Sequence, residues 1–189
     1  MKKFFSLITI AVVCLCINAK AQDDQAAMKK WMDYMTPGDM QKELAKSEGE
    51  WETETTVWMA PNTPPMTSKG TCTNKMIMGG RFLESKHTST FMNMPFEGVG
   101  TYGYDNAKKV FWTTWIDNMG TGMMHLEGTW DDGFQSVIFT GSMVEPTTGA
   151  DQKIKETHKI IDDNNQLMEM FTVADGKETK TMEVKFKRK

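Results

Sequence analysis

The fold of this chain is decided by the stretch from Gly79 to Asp132, GGRFLESKHTSTFMNMPFEGVGTYGYDNAKKVFWTTWIDNMGTGMMHLEGTWDD. Apolar runs alternate in it with short turns rich in glycine, asparagine, aspartate and proline. Turn signals that recur every roughly 8–12 residues are typical of all-β sandwiches and barrels. The stretch therefore predicts a series of antiparallel strands joined by tight connections.

The strand pattern continues on both sides of this stretch and predicts an all-β fold of about ten strands. The predicted strands are Trp51–Met59, Ser68–Met78, Arg81–Met92, Phe96–Tyr104, Lys109–Asn118, Gly122–Trp130, Phe134–Met143, Lys153–Ile161, Leu167–Val173 and Glu178–Lys187. Sequential strands with short connections pair most simply as an antiparallel meander. Closure of the meander into an up-and-down barrel removes both exposed edges, and a two-sheet sandwich is the alternative. No proline lies inside a predicted strand, as an intact hydrogen-bond ladder requires.

Residues 1–21 have the pattern of a secretory signal peptide. Lysines precede an apolar run over residues 4–17, and Ala19-Lys20-Ala21 provides a small-x-small cleavage site. The apolar run is too short to span a bilayer, and no later segment is long enough. We therefore expect a secreted or periplasmic protein that has no membrane span and whose mature chain begins at Gln22.

Residues 22–47 are predicted to be an N-terminal helical segment that precedes the barrel domain at 48–189. The first part carries an apolar stripe at i, i+3, i+4 and i+7, formed by Met28, Trp31, Met32 and Met35. Thr36 is predicted to be the N-cap of a second short helix with Met40 and Leu44 on its apolar side. Because short amphipathic helices are unstable alone, we expect them to pack on the barrel, as a lid or as a structural brace.

Composition limits the classes of partner. Cleavage after residue 21 removes three lysines and no acid, and so lowers the net charge from -3 to -6. An acidic surface without a basic patch argues against binding to nucleic acid and to anionic membranes. Cys72 is then the sole cysteine, which precludes an intrachain disulfide, and it is predicted to be an ordinary strand residue. The sequence specifies neither a cofactor nor an oligomeric state.

Gly49-Glu50-Trp51 matches the Gly-x-Trp signature that lipocalins and other calycins carry on their first strand, just after an N-terminal helical segment. In those proteins the tryptophan closes one end of the barrel, often beneath a basic residue from the last strand. The resemblance implies this position for Trp51, with Arg188 or Lys187 over it.

Further motifs follow the order and spacing of a bacterial family catalogued as domain-of-unknown-function family fifteen-seventy-nine. They are Met78-Gly79-Gly80-Arg81-Phe82-Leu83, Pro95-Phe96-Glu97-Gly98, Gly103-Tyr104-Asp105 and Trp115-Ile116-Asp117. The resemblance runs from about Met40 to the C-terminus and implies a calycin-like barrel of bacterial, secreted origin. That family carries no established activity, so the resemblance transfers no functional residue.

Charge alternation makes the strand Lys153–Ile161 the most informative for a site. One face carries Lys153, Lys155 and Lys159, and the other carries Ile154, Glu156, His158 and Ile160. If the lysines face water, Glu156 and His158 point into the barrel, where a carboxylate and an imidazole need hydrogen-bonding partners.

Other polar and aromatic residues of the central strands complete the predicted ligand-binding set, namely Arg81, Tyr102, Trp115 and His125. The facing of these strands does not follow from the pattern, because the strand Lys109–Asn118 is apolar on both sides. The histidines lie on different strands without metal-ligand spacing, so no metal ligand is predicted. No nucleophile motif is present, so no catalytic residue is predicted either.

Three functions are consistent with these features. A ten-stranded barrel leaves room for a ligand, so we favour binding of a small apolar or amphipathic molecule among methionine and aromatic side chains. The alternatives are a structural or partner-binding barrel without a ligand, and an enzyme that uses Glu156 and His158 as acid and base.

Overall fold

The computed structural model describes residues 23–60, 63–133 and 135–189. The predicted signal peptide lies outside these residues. The chain divides into two compact units, Met1–Thr36 and Pro37–Lys189.

The described part of the first unit is a helix, α1, over residues 23–35. Lys29 and Asp33 form an i,i+4 ion pair of 2.6 Å on this helix. The hydroxyl of Thr36 donates to the carbonyl of Met32 over 2.7 Å. Thr36 therefore ends the first helix and does not cap the second, so the predicted cap is wrong.

The second unit begins with a short helix, α2 (Asp39–Ala45), whose N-cap is Gly38. The backbone N–H of Gly38 donates to the side chain of Gln41 over 2.7 Å. The amide of Gln41 donates in turn to the carbonyl of Tyr104 and to the side chain of Asn106. Because Met40 and Leu44 also pack against the barrel core, α2 lies over one end of the barrel. We call this end the helix end and the opposite end the loop end.

Ten strands follow α2 and form a closed barrel in which every neighbouring pair is antiparallel. They are β1 (Gly49–Val57), β2 (Met66–Ile77), β3 (Phe82–Phe91), β4 (Met94–Asp105), β5 (Val110–Asp117), β6 (Met124–Asp131), β7 (Ser136–Val144), β8 (Asp151–Asp162), β9 (Asn165–Ala174) and β10 (Lys177–Arg188). The first and last strands close the barrel, with a register that runs from Trp51 opposite Arg188 to Val57 opposite Met182. The up-and-down barrel is confirmed, and the two-sheet alternative is excluded.

One proline lies inside a strand, contrary to the prediction. The strand β4 begins two residues earlier than predicted and includes Pro95, which stands opposite Thr90 of β3. Proline is tolerated at the start of a strand, where a missing N–H disturbs the ladder least.

The helix end is closed by Trp51, which is fully buried. Its indole N–H donates to the carbonyl of Ser47 over 3.0 Å, and the guanidinium of Arg188 lies 4.2 Å from the centre of its ring. Arg188 also donates to the carbonyls of Lys46, Glu48 and Asp163. The position implied by the Gly-x-Trp resemblance is thus confirmed, with Arg188 as the basic residue.

Large side chains fill the middle of the barrel, and some of them lie against glycines that face the interior. The main core cluster consists of Phe111, Met124, Leu126, Val137, Phe139 and Ile154. A Cβ atom on Gly98 would lie 2.3 Å from the ring of Trp115, so the absence of a side chain there lets the indole lie against β4. The interior towards the loop end is therefore occupied by the protein's own side chains.

Candidate functional site

A cavity of about 70 Å³ lies inside the barrel at the helix end. Residues of α2 and the segment after it, including Leu44 and Ser47, form its roof. Its walls are mainly apolar and aromatic, and include Leu83, Phe111, Trp130, Val137, Phe139, Ile160 and Phe186. Its polar side chains include Asn74, Ser85, His87, Tyr102 and His158. A concave apolar site with a few convergent polar groups is the usual form of a small-molecule site.

His158 supplies the first polar group of the cavity wall, and its imidazole contacts Glu156, which does not itself line the cavity. The carboxylate of Glu156 lies 2.6 Å from Nε2 of His158, and Glu156 is only 3% exposed. Because the side chains of a strand alternate between its faces, both residues point inward while Lys153 and Lys159 are exposed. The predicted facing of this strand is confirmed.

Tyr102 on β4 contacts this pair from across the barrel. Its ring lies 5.2 Å from the ring of His158 in an edge-on arrangement. Burial raises the pKa of Tyr102 above its usual range, and the nearby charge of Glu156 raises it further. The phenol therefore stays protonated.

A second polar group comes from β2 and β3. The hydroxyl of Ser85 lies 2.9 Å from Nε2 of His87, and the thiol of Cys72 lies 3.3 Å from the same hydroxyl. The Cys72 thiol donates to the side-chain oxygen of Asn74 over 3.1 Å. Cys72 is thus a buried strand residue, as predicted, and it also forms part of a buried polar cluster.

Burial controls the ionisation of this second group. It lowers the pKa of His87 to about 4, with a smaller contribution from the positive charge of His158. Burial also raises the pKa of Cys72 to about 11, against which the hydrogen bond with Ser85 acts weakly. At neutral pH the cluster therefore holds a neutral imidazole and a thiol, and a thiol is a poor nucleophile.

This second polar group was not predicted from the sequence, although the sequence contains a signal for it. Cys72 and Asn74 on β2, like Ser85 and His87 on β3, are polar residues two apart with outward-facing residues between them. That is the same period-two pattern that identified Glu156 on β8.

The structure separates the remaining predicted site residues. Trp115 points into the barrel but does not line the cavity, and its indole N–H donates to Asp117 over 2.8 Å. His125 is exposed on the outer face of β6, because it lies between the inward-facing Met124 and Leu126. Arg81 is exposed in the turn before β3, where it donates to the carbonyl of Met78 over 3.0 Å.

Methionines do not form the wall of the cavity, contrary to the prediction. Among the described residues that line it, the apolar ones are leucine, isoleucine, valine, phenylalanine, tyrosine and tryptophan. Exposed methionines instead gather at the loop end, on the connections and strand ends there, and are Met59, Met66, Met92, Met94, Met119 and Met123.

Within the described ranges, no three or more histidine, cysteine, aspartate or glutamate side chains are grouped so as to hold a metal ion. No helix of the described part of the chain is both long and apolar enough to cross a membrane.

A closed barrel of ten antiparallel strands, with a tryptophan at one end and a small cavity beneath a short helix, defines a calycin-like up-and-down β-barrel protein. Residues 36–188 match the family described as "Protein of unknown function (DUF1579)". The match covers most of the chain, which therefore belongs to that family.

The fold is also found in solved structures. The chain is similar to Rv2717c from M. tuberculosis, with 12% sequence identity and a TM-score of 0.60 over 82% of this chain and 99% of that chain. It is similar to a redesigned beta barrel, b11L5F_LGL, with 13% identity and a TM-score of 0.39 over 77% of this chain and 94% of that chain. No curated protein matches the chain. At 12% identity the likeness to Rv2717c concerns the fold alone.

Proposed function

We propose that this protein binds a small amphipathic molecule in the cavity at the helix end, after export from the cytoplasm. The observation that carries the proposal is an apolar cavity wall that also contains polar side chains, namely His158, which contacts the inward-facing Glu156, and the hydrogen-bonded pair Ser85–His87. The wall would supply most of the affinity through the burial of apolar area, and the polar groups would fix the orientation of the ligand.

The size of the cavity limits the ligand. A volume of about 70 Å³ is less than half of the roughly 150 Å³ cavity that admits benzene in another protein. The closed barrel therefore suits a molecule of only a few non-hydrogen atoms. A fatty acid or a haem would require the roof to move.

The roof is the part of the wall best suited to move. The helix α2 has seven residues and is too short to be stable alone. Its polar attachment to the barrel includes the hydrogen bonds of Gln41 to Tyr104 and Asn106. The segment that follows α2 is attached by a hydrogen bond between the side chains of Ser47 and Gln166. The strands below it are joined by continuous ladders around the closed barrel.

The test is a binding titration of the mature protein with ligands of increasing size, followed by native mass spectrometry and calorimetry. Short-chain alcohols, fluorescent fatty-acid analogues and haem cover the range from the closed cavity to a displaced roof. We expect the short-chain alcohols to bind, and His158→Gln to weaken that binding because it changes the polar wall while keeping a hydrogen-bonding partner for Glu156.

His125→Gln is the matched control, because it makes the same substitution on the outer face of the barrel. It should leave binding unchanged. If no probe of any size binds to a correctly folded protein, the barrel is a structural or partner-binding scaffold and the proposal fails.

A further inference from the structure

We infer that the ligand of the cavity is electrically neutral and carries a head group that both donates and accepts hydrogen bonds, such as a hydroxyl or a primary amide. This inference rests on the proposed binding function and specifies its ligand class. It comes from the charges and the hydrogen-bonding groups that face the cavity.

The charged side chains around the cavity are already compensated or face outward. Glu156 is matched by His158 at 2.6 Å, and Glu43 in the roof is matched by Lys46 at 2.6 Å. Lys159 is exposed on the outward face of β8. Because an uncompensated buried charge is expensive, the Glu156 carboxylate is stabilised by its close contact with the His158 imidazole.

His87 adds no charge to the cavity. It is held neutral by burial, and its Nε2 atom is engaged by the Ser85 hydroxyl over 2.9 Å. A carboxylate ligand would therefore meet no unpaired cation in the cavity. An ammonium ligand would meet no unpaired carboxylate, since Glu156 is occupied by His158.

The free-energy cost of desolvating an ionised head group therefore disfavours a charged ligand. Transfer of an unpaired carboxylate or ammonium from water into an apolar site is far less favourable than transfer of a hydroxyl or an amide. We expect a charged ligand to bind about a hundredfold or more weakly than a neutral ligand of the same size, because the penalty spans several factors of ten in affinity.

The polar side chains of the cavity set the chemistry of the neutral head group. Tyr102 stays protonated and brings a hydroxyl, Ser85 brings another, and the imidazole of His87 is neutral. Hydroxyls donate and accept, and a neutral imidazole offers one donor and one acceptor. A head group with both functions can form additional hydrogen bonds with this set, which a pure hydrocarbon cannot.

The experiment compares four ligands of nearly equal size, namely 1-propanol, propionamide, propionate and propylammonium. A ligand this small binds no more tightly than on the order of tens of micromolar, so the titrations are followed by NMR of the isotope-labelled mature protein in the millimolar range. We expect 1-propanol and propionamide to shift the ring resonances of His158 and His87, and the two ions to give no saturable shift.

Two variants with the same change of charge provide the control. Glu156→Gln removes the interior carboxylate and should reduce the discrimination against propionate by about tenfold or more, because His158 is then free to pair with an anion. Glu52→Gln removes an exposed carboxylate on β1 and should leave the discrimination unchanged. The fold of each variant is checked from the dispersion of the same spectra.

The outcomes distinguish a failure of the neutral-ligand inference from a failure of the proposed binding function. If none of the four ligands binds and no larger probe binds, the proposed function itself fails. Propionate or propylammonium that saturates the wild-type cavity as tightly as 1-propanol would overturn the neutral-ligand inference and leave the binding function standing. Equal discrimination in Glu156→Gln and in the wild type would also overturn it.

Discussion

Trp51 shows how one residue joins three parts of the molecule. Its ring is fully buried at the helix end, its N–H bonds to the connection that follows α2, and Arg188 of the last strand lies over its face. We expect Trp51→Ala to reduce the free energy of unfolding by about 3–5 kcal/mol, as for other buried large aromatics. Denaturant titration measures this loss.

Trp112→Ala is the comparison for this variant, because Trp112 lies partly exposed on the outer face of β5 beside Phe82. Its removal should lower the stability clearly less than the removal of Trp51. A loss for Trp51→Ala below about 1 kcal/mol, typical of a surface change, would show that the closure of this end does not depend on the tryptophan.

His87 makes the stability of the barrel sensitive to acid. Its pKa is about 4 in the folded protein, against an ordinary value of 6.5. A histidine with a depressed folded pKa contributes stability that is fully present above pH 6.5 and is lost as the pH falls towards 4. The shift corresponds to a contribution of roughly 3 kcal/mol.

We therefore expect His87→Gln to flatten the dependence of the unfolding free energy on pH between about 6.5 and 4, relative to the wild type. His125→Gln on the outer face should not flatten it. The measurement is urea denaturation at a series of pH values, together with NMR titration of each imidazole. Titration of His87 near its ordinary value would contradict the burial argument.

At the scale of the elements, the packing of β4 against β5 depends on glycine. Gly98 leaves space for the Trp115 ring, which also stacks on Phe96 and contacts His87 edge-on. An alanine Cβ at position 98 would lie 2.3 Å from that ring, so the indole would have to move against both neighbours. We expect Gly98→Ala to destabilise the protein by about 1–3 kcal/mol, as overpacking generally does.

Gly122→Ala is the matched control, because no atom lies within 4 Å of a Cβ atom built there. Thermal and chemical unfolding should place it within about 0.5 kcal/mol of the wild type. Equal stability of the two variants would show that the indole can move aside without loss.

The positions of the strands could be predicted from the sequence, but the facing of every strand could not. Turn residues and period-two alternation locate all ten strands to within a few residues, because each signal is local. The facing of β5 could not be predicted, since Trp112 and Trp115 are apolar on opposite faces. The set of polar residues that line the cavity depends on the closure and register of the barrel. Closure and register bring Ser85 of β3 and His158 of β8 into the wall of the same cavity.

The strands of the unit Pro37–Lys189 form a closed ring in which the last strand completes the sheet begun by the first. Within the described residues its stability comes from burial and from the ladder without a disulfide, because Cys72 is free and buried. We expect a mature chain to have the same melting temperature with and without a reductant. A reductant-dependent shift in the melting temperature of the monomer would contradict this.

The last prediction concerns processing of the whole chain. The small residues at Ala19 and Ala21 predict cleavage before Gln22, so the exported protein should have the intact mass of residues 22–189 or of its pyroglutamate form. Ala21→Leu puts a bulky side chain where the peptidase requires a small one and should leave the precursor uncleaved. The change lies outside the barrel sequence, so it should leave the fold of the barrel unaffected. An exported wild-type chain that keeps its first residues, or carries a lipid, would refute the assignment of a cleaved signal peptide.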